Sequence, residues 1–442
     1  MTGGSLLEKE TLDFVRDLIR IDSVNTGVAE TIGDGETRAA RYVQERLADA
    51  GIEAELVEPR PGRASVVARI RGREPAAGAL LVHAHLDVVP VDETDWTRPP
   101  FGAEIHDGFL YGRGAVDMKD YAGMLLAVAR HYAREGIVPR RDLVFAFLAD
   151  EESGGVWGAG WIVEHRPDLL AGVTEALSEV GGFSVPLSGR PGHDRRAYLV
   201  ATSEKGVSWA TLVARGEASH GSRPRDDNTV VRLARAVAAV GAHRFPVVRT
   251  PALQRFFDVF GAARGLAFTD ETLAEDVESL GFVAGLVGAS TRNTATPTVL
   301  AAGEKTNVIP AEASARLDLR IVPGGDDDLR RTVRAIAGDD VDVDFGRWWS
   351  ATEAPIDAPL LGVIQRAVGE DDPDGVVVPY LLPASTDNKH FARLGIAGYG
   401  FVPLRVPLDF DVFAQFHAAD ERVPVDALAF GARVTERILR TA

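Results

Sequence analysis

Apolar positions recur every three to four residues at the start of the chain. Over 5–20, Leu6, Leu7, Leu12, Val15, Leu18 and Ile19 form one stripe, which predicts an amphipathic helix. Residues 36–50 read as a second helix closed by Gly51, a residue suited to the left-handed turn after a helix. The period then shortens. Residues 64–71, 79–83 and 143–148 are dense apolar runs that read as buried strands, with a helix at 122–134 between the last two. Strands alternating with helices predict an α/β sheet. Near Tyr198 the pattern changes: 207–213 alternates like a half-exposed strand and 229–240 is helical. Strands at 298–303 and 313–321 follow, then Pro323-Gly324, a helix at 327–336 and a strand at 341–345. That order matches a split βαβ or ferredoxin-like unit. From 354 onward, a helix at 360–368 and later strands look like the first domain resuming. The expected organisation is therefore 1–200 as the first part of the larger domain, 201–350 as an inserted smaller domain, and 351–442 as the second part. A mixed insert at 250–296 carries Phe256, Phe257 and Phe260. These could line a pocket for an apolar group, or pack as a core or dimer-interface helix.

A chain of 442 residues exceeds one ordinary core. Its 45% hydrophobic and 26% charged residues are those of a soluble globular protein, and the formal charge of −17 speaks against nucleic acid or an anionic membrane as partner. The absence of cysteine confines any metal site to His, Asp and Glu. Residues 1–10 lack a basic segment followed by an apolar one, and no apolar run reaches membrane-spanning length. A cytoplasmic enzyme is the expectation.

Candidate chemistry gathers where apolar runs stop. The run 80–82 ends in His83-Ala84-His85-Leu86-Asp87. Ligands of open α/β sheets lie at strand ends, so His85 can offer a ring nitrogen to a metal, and Asp87, two residues on, can orient that ring from behind. The glycines of Gly112-Arg113-Gly114 allow close backbone approach to a ligand. Asp117, just before a helix, has two oxygens that can bridge two metals, although by itself it reads first as a helix N-cap. The strand Leu143–Leu148 runs into Asp150-Glu151-Glu152, adjacent carboxylates that repel unless a cation or proton is shared. One of that pair can ligate while its neighbour takes a proton from water, and an exposed acidic turn is the bland alternative. The triple acid rules out a phosphate loop at Gly155–Gly160. Glu179, at another strand end, and His417 complete the set. Two histidines and three carboxylates suit a pair of borderline divalent cations such as zinc, with cobalt or manganese able to satisfy the same ligands. Structural calcium prefers an oxygen-only shell, which His85 and His417 oppose.

The segments His85-Leu86-Asp87-Val88-Val89-Pro90, Trp96 with Pro99-Pro100-Phe101, Gly112-Arg113-Gly114 with Asp117-Met118-Lys119, Asp150-Glu151-Glu152 and Lys305-Thr306-Asn307-Val308-Ile309-Pro310 resemble the dizinc metallopeptidases. That group includes aminoacylase, carboxypeptidase G, succinyl-diaminopimelate desuccinylase and carboxypeptidase S. The resemblance spans nearly the whole chain, in order. It implies a zinc-peptidase-like α/β/α catalytic domain with an inserted ferredoxin-like lid and dimerisation domain, and a homodimer formed through that lid. It implies that His85, Asp117 and Glu179 hold one zinc, that Asp117, Glu152 and His417 hold the other, and that Asp87 supports His85 while Glu151 is the general base. A cis peptide at Asp117–Met118 is implied too. His220, in Ala218-Ser219-His220-Gly221-Ser222, matches a histidine that reaches the partner subunit's active site. Asn307 and Arg320 match substrate-holding positions, and Thr386 lies in a substrate-contacting loop. Pro383 and Ala384 stand where that loop usually has glycine, and Val180 follows Glu179 where glycine is more frequent. The implied activity is hydrolysis of an amide bond in small peptides or N-acyl amino acids. The alternatives are a deacylase of one acetylated or succinylated amino acid, or a metal-binding protein without catalysis.

Overall fold

The computed structural model describes residues 5–189 and 194–442. Leu6–Arg20 forms the first helix, opened by a reciprocal capping box between Ser5 and Glu8, and its stripe buries Leu7, Phe14, Val15, Leu18 and Ile19. It packs with the helices Lys119–Glu135 and Val425–Thr441 on one face of a ten-stranded sheet. The shorter helices Ala159–His165 and Asn388–Phe391 lie against a second apolar cluster that includes Leu81, Val144 and Leu148.

The sheet runs Ala54–Arg60, Arg63–Ile70, Leu143–Leu148, Ala79–His85, Val173–Ser178, Ala397–Gly400, Arg196–Glu204 and Thr352–Glu353, with Val376–Leu382 and Ser184–Pro186 also paired to Arg196–Glu204. Ala79–His85 lies between two parallel neighbours, Leu143–Leu148 and Val173–Ser178. Every residue of Ala79–His85 and Leu143–Leu148 is buried, as expected of parallel strands covered on both faces. Their carboxyl ends are therefore the one edge of the inner sheet from which loops emerge toward solvent together.

A second, antiparallel sheet runs Thr294–Ala302, Glu312–Ile321, Gly206–Arg215 and Asp342–Asp344, with Trp348–Trp349 also on Gly206–Arg215. The helices Thr229–Ala242 and Asp326–Ala337 pack together over it. Strand, helix, strand, strand, helix, strand is the order expected above. Thr294–Ala302 starts four residues before the expected 298, and its ladder slips between Pro297 and Val299. Proline is confined to edges and bulges in sheets, which is where it stands here. The chain passes between the two sheets twice, at Glu204-Lys205-Gly206 and at Trp349–Thr352, and the two crossings lie side by side. A Cβ at Gly206 would lie 2.4 Å from the Trp349 carbonyl oxygen.

The 250–296 insert folds as Pro251–Arg264, Leu273–Glu278 and Val283–Val287. Phe256 stacks on Phe260, and Phe257 stacks on Phe268, all almost fully buried in the core of the ten-stranded sheet. Of the two readings of these phenylalanines, packing is the one the structure contains. Among the described residues, no helix is long and apolar enough to cross a membrane.

Candidate metal centre and active site

Four of the candidate side chains come from the ends of three adjacent parallel strands. His85 is the last residue of Ala79–His85, Glu151 and Glu152 follow Leu143–Leu148, and Glu179 follows Val173–Ser178. Asp117 and His417 arrive from loops 300 residues apart. His85 Nε2 lies 3.1 Å from Asp117 Oδ1 and 3.5 Å from Glu179 Oε2. On the other side of Asp117, His417 Nε2 lies 3.1 Å from Oδ2 and 3.3 Å from Glu152 Oε2. Two ligand clusters thus share one carboxylate, and the ligand atoms of each fall within 4.8 Å of one another.

The donors fit a divalent metal pair. Glu152 Oε1 is buried with no hydrogen-bond partner, and imidazole with carboxylate is the ligand set that borderline cations take. The carboxylates crowd one another. Burial, then Asp117, pushes Glu152 up to about 8, and burial with Glu151 raises Glu179 well above the usual carboxylate range. Burial also opposes ionisation of Asp117, but hydrogen bonds from His417 and His85 outweigh it and hold that carboxyl low.

Asp117 is not a helix cap. Met118 occupies that position, and the peptide between them is cis, as expected from the resemblance. Asp87 stands behind the His85 ring. Its backbone carbonyl, 2.9 Å from His85 Nδ1, is the nearer partner of the ring, and its carboxylate stands at 3.5 Å. The carboxylate chiefly accepts the backbone N–H groups of Glu151 and Glu152, each at 3.1 Å, and the Asn25 amide at 2.8 Å. One residue thereby fixes the histidine strand and the diglutamate turn to each other.

The glycine loop likewise approaches a protein carboxylate rather than a ligand. Glu421 accepts N–H bonds from Gly114, Val116 and Asp117 and a 2.8 Å bond from the Arg113 guanidinium, while Arg113 also donates to the His417 carbonyl. Asp117 and His417 are thus clamped together by a residue that the sequence shows only as part of an acidic pair. Asp150, Val180 and His417 all have left-handed backbone, with φ of 72°, 56° and 61°. Strained residues gather at functional sites, and the left-handed backbone at Val180 is one that glycine adopts at lower cost than valine.

Glu151 faces the same cavity, 3.6 Å from Lys389 Nζ. Lys389 is almost fully buried and kept charged by Glu151, Asp387 and Glu204 against the cost of burial. Sequence reading missed it, although it follows Thr386 by three residues. Thr386 itself donates through its hydroxyl to Glu204 at 2.7 Å, and Glu204 also accepts from the Asn388 amide. Arg320 lines the cavity but is tied to Asp318 by two bonds of 2.7 and 3.0 Å. His220 and Asn307 lie elsewhere. They sit together on a two-stranded ladder, both exposed and outside the cavity of their own chain. The remaining cavity wall carries Trp209, Trp349, Phe413 and Phe416, none of which the sequence marked.

A doubly clustered ligand set at the carboxyl ends of parallel strands, with a buried glutamate beside it, defines a metal-dependent hydrolase. Residues 81–441 match Peptidase family M20/M25/M40, and the chain belongs to that family. It is 29% identical over 372 residues to probable carboxypeptidase S-like 2 of Dictyostelium discoideum, covering 82% of this chain and 71% of that protein. It is 28% identical over 414 residues to aminoacylase-1 of Pongo abelii, covering 91% and 89%. Its fold aligns with the M20 family metallo-carboxypeptidase Sso-CP2 of Sulfolobus solfataricus at a TM-score of 0.71 and 19% identity, over 98% of each chain. The protein is a metallopeptidase or amidohydrolase acting on peptides or N-acyl amino acids.

Proposed function

We propose that the protein hydrolyses the amide bond of small peptides or N-acyl amino acids with two zinc ions, one held by His85, Asp117 and Glu179 and the other by Asp117, Glu152 and His417. The observation that carries this reading is the single carboxylate of Asp117 shared between two three-residue clusters, with an unused glutamate beside them. When bound, such metals polarise a carbonyl and lower the pKa of water toward about 7. Glu151 accepts the proton of the attacking water and passes it to the departing amine. Lys389 keeps that carboxylate oriented, and Asp87 holds the turn on which it sits. Arg320 receives the terminal carboxylate of the substrate by sharing its planar fork with Asp318.

Residues 201–350 act as a lid and dimerisation domain in this reading, and His220 of a second copy donates to the oxyanion. The exposed, cavity-remote position of His220 in its own chain supports supply from a partner. Glu151→Gln is expected to abolish turnover with bound zinc unchanged, since general-base removal typically costs about 10²–10⁴-fold. Near-normal rates in that variant would sink the assignment. Mixing Glu151→Gln with His220→Ala tests the dimer. In a two-fold dimer that exchanges subunits, half of the sites in each mixed dimer are intact, so about a quarter of wild-type activity returns. No recovery after exchange would exclude supply of His220 from the partner subunit.

A further inference from the structure

Beyond the ligand clusters, the cavity has a character the ligand set does not require. Its volume is about 430 Å³, within the range of small-molecule sites. Beside the clusters the lining is apolar and aromatic: Trp209, Trp349, Phe413, Phe416, Val180 and Val207. Val207 and Trp349 are register partners at the crossing between the two sheets. Trp209 and Trp349 meet edge to face with ring centres 6.0 Å apart, and Phe413 lies 5.6 Å from Phe416. Trp209 is 54% exposed, a large apolar surface left open beside a cavity.

The carboxylates near this wall are already engaged. Arg320 is paired with Asp318, and Asp318 also accepts the Trp209 indole N–H at 3.3 Å. The lining carboxylates Asp117, Glu152 and Glu179 belong to the ligand clusters, and Glu151 faces Lys389. A free α-ammonium placed against the aromatic wall would find no uncommitted carboxylate among the described lining residues, and an unpaired buried charge is costly. Nor is the wall arranged as a cation cage, because the Arg347 guanidinium already lies 5.5 Å from the Trp349 ring centre and repels a second cation. An uncharged hydrocarbon chain meets neither obstacle.

We propose that Trp209, Trp349, Phe413 and Phe416 form an acyl-chain subsite, which makes the preferred substrate an N-acyl amino acid with an aliphatic acyl group of several carbons. This rests on the amidohydrolase reading above and selects among its substrates. The reaction needs no further reactant. The amide C–N bond breaks, the water oxygen stays with the acyl carbon as a carboxylate, and both water protons leave on the amine as an ammonium.

The test uses N-acetyl, N-hexanoyl and N-decanoyl derivatives of one amino acid, together with a dipeptide carrying the same carboxyl-terminal residue. Each buried methylene is worth about fourfold in kcat/KM. The metal-loaded enzyme is expected to prefer hexanoyl over acetyl by at least about tenfold, with the dipeptide below the hexanoyl compound. Trp349→Ala and Trp209→Ala should each cut the hexanoyl-to-acetyl ratio severalfold, and Trp209→Phe should restore most of it. A flat chain-length profile, or a dipeptide preferred to the hexanoyl compound, overturns the subsite. Calorimetric binding of the same compounds to metal-loaded Glu151→Gln separates the two proposals. Tenfold tighter binding of hexanoyl than acetyl upholds the subsite even without hydrolysis, whereas equal binding removes it even where hydrolysis occurs.

Discussion

The ligand clusters and the exposed ladder that carries His220 are built in opposite ways. On the ten-stranded sheet, His85, Asp117 and Glu179 are buried, and each cluster loop is held by a further residue: Asp87 for the diglutamate turn, Glu421 and Arg113 for the loops of Asp117 and His417. At the two-stranded ladder Ser219–His220 with Val308–Ile309, His220 and Asn307 stand in solvent, and the side-chain partner of the His220 ring is its near neighbour Ser222. Metal ligation tolerates displacements of only tenths of an ångström, so its side chains are held redundantly on rigid strand ends. Groups that meet a substrate or a partner subunit need not be fixed before it arrives, and they can stand on an exposed ladder.

Variants in the two regions should therefore fail differently. Asp117→Ala removes the shared ligand, and activity should drop to background with loss of both metal equivalents by elemental analysis; retention of two bound metals would mean that the clusters do not share it. His220→Ala should lose about 10²–10³-fold in kcat, as for removal of one oxyanion donor, with metal content and melting temperature unchanged. A metal loss in that variant would erase the contrast between the two regions. Glu421→Gln leaves every ligand in place, and its expected effect is about 10–100-fold weaker metal affinity, read by competition with a chelator. An unaltered affinity would show that the Arg113–Glu421 clamp is dispensable.

The smallest expected effect lies at the crossing between the two sheets. Lys205 is buried, donates to the carbonyls of Ala289 and Arg292, and is lowered to about 7 by burial and then by Arg320, with Asp318 opposing. Between about pH 7 and the unfolded value of about 10.4 the unfolded chain binds the extra proton, so this residue makes stability rise with pH across that window. Below about 7 both states are protonated and the slope vanishes. Lys205→Met should flatten the chemical-denaturation stability between pH 7 and 9; an unchanged slope would place the titration elsewhere.

Much of the site was legible because its residues stand where apolar runs stop. His85, Glu151, Glu152 and Glu179 each follow a buried strand, and a run that ends in a charged group is visible without coordinates. Lys389 and Glu421 were not legible in the same way, since their partners lie 238 and about 300 residues away and no local pattern links them. The strand Ala54–Arg60 escaped too. It is an edge strand with only Val57 buried and lacks the apolar density that reveals its neighbours.

By itself the sequence determined the α/β alternation, the inserted strand–helix–strand–strand–helix–strand unit and the chemical kinds of ligand available. Each of these follows from local periodicity and from which residues carry nitrogen or oxygen donors. Only the tertiary structure decided that one carboxylate serves two clusters, that Asp87 braces a turn more than a ring, that His220 faces away from its own cavity and that four aromatic rings wall it. Those outcomes depend on distances between segments far apart in the chain, which burial and strand pairing set and local sequence does not encode.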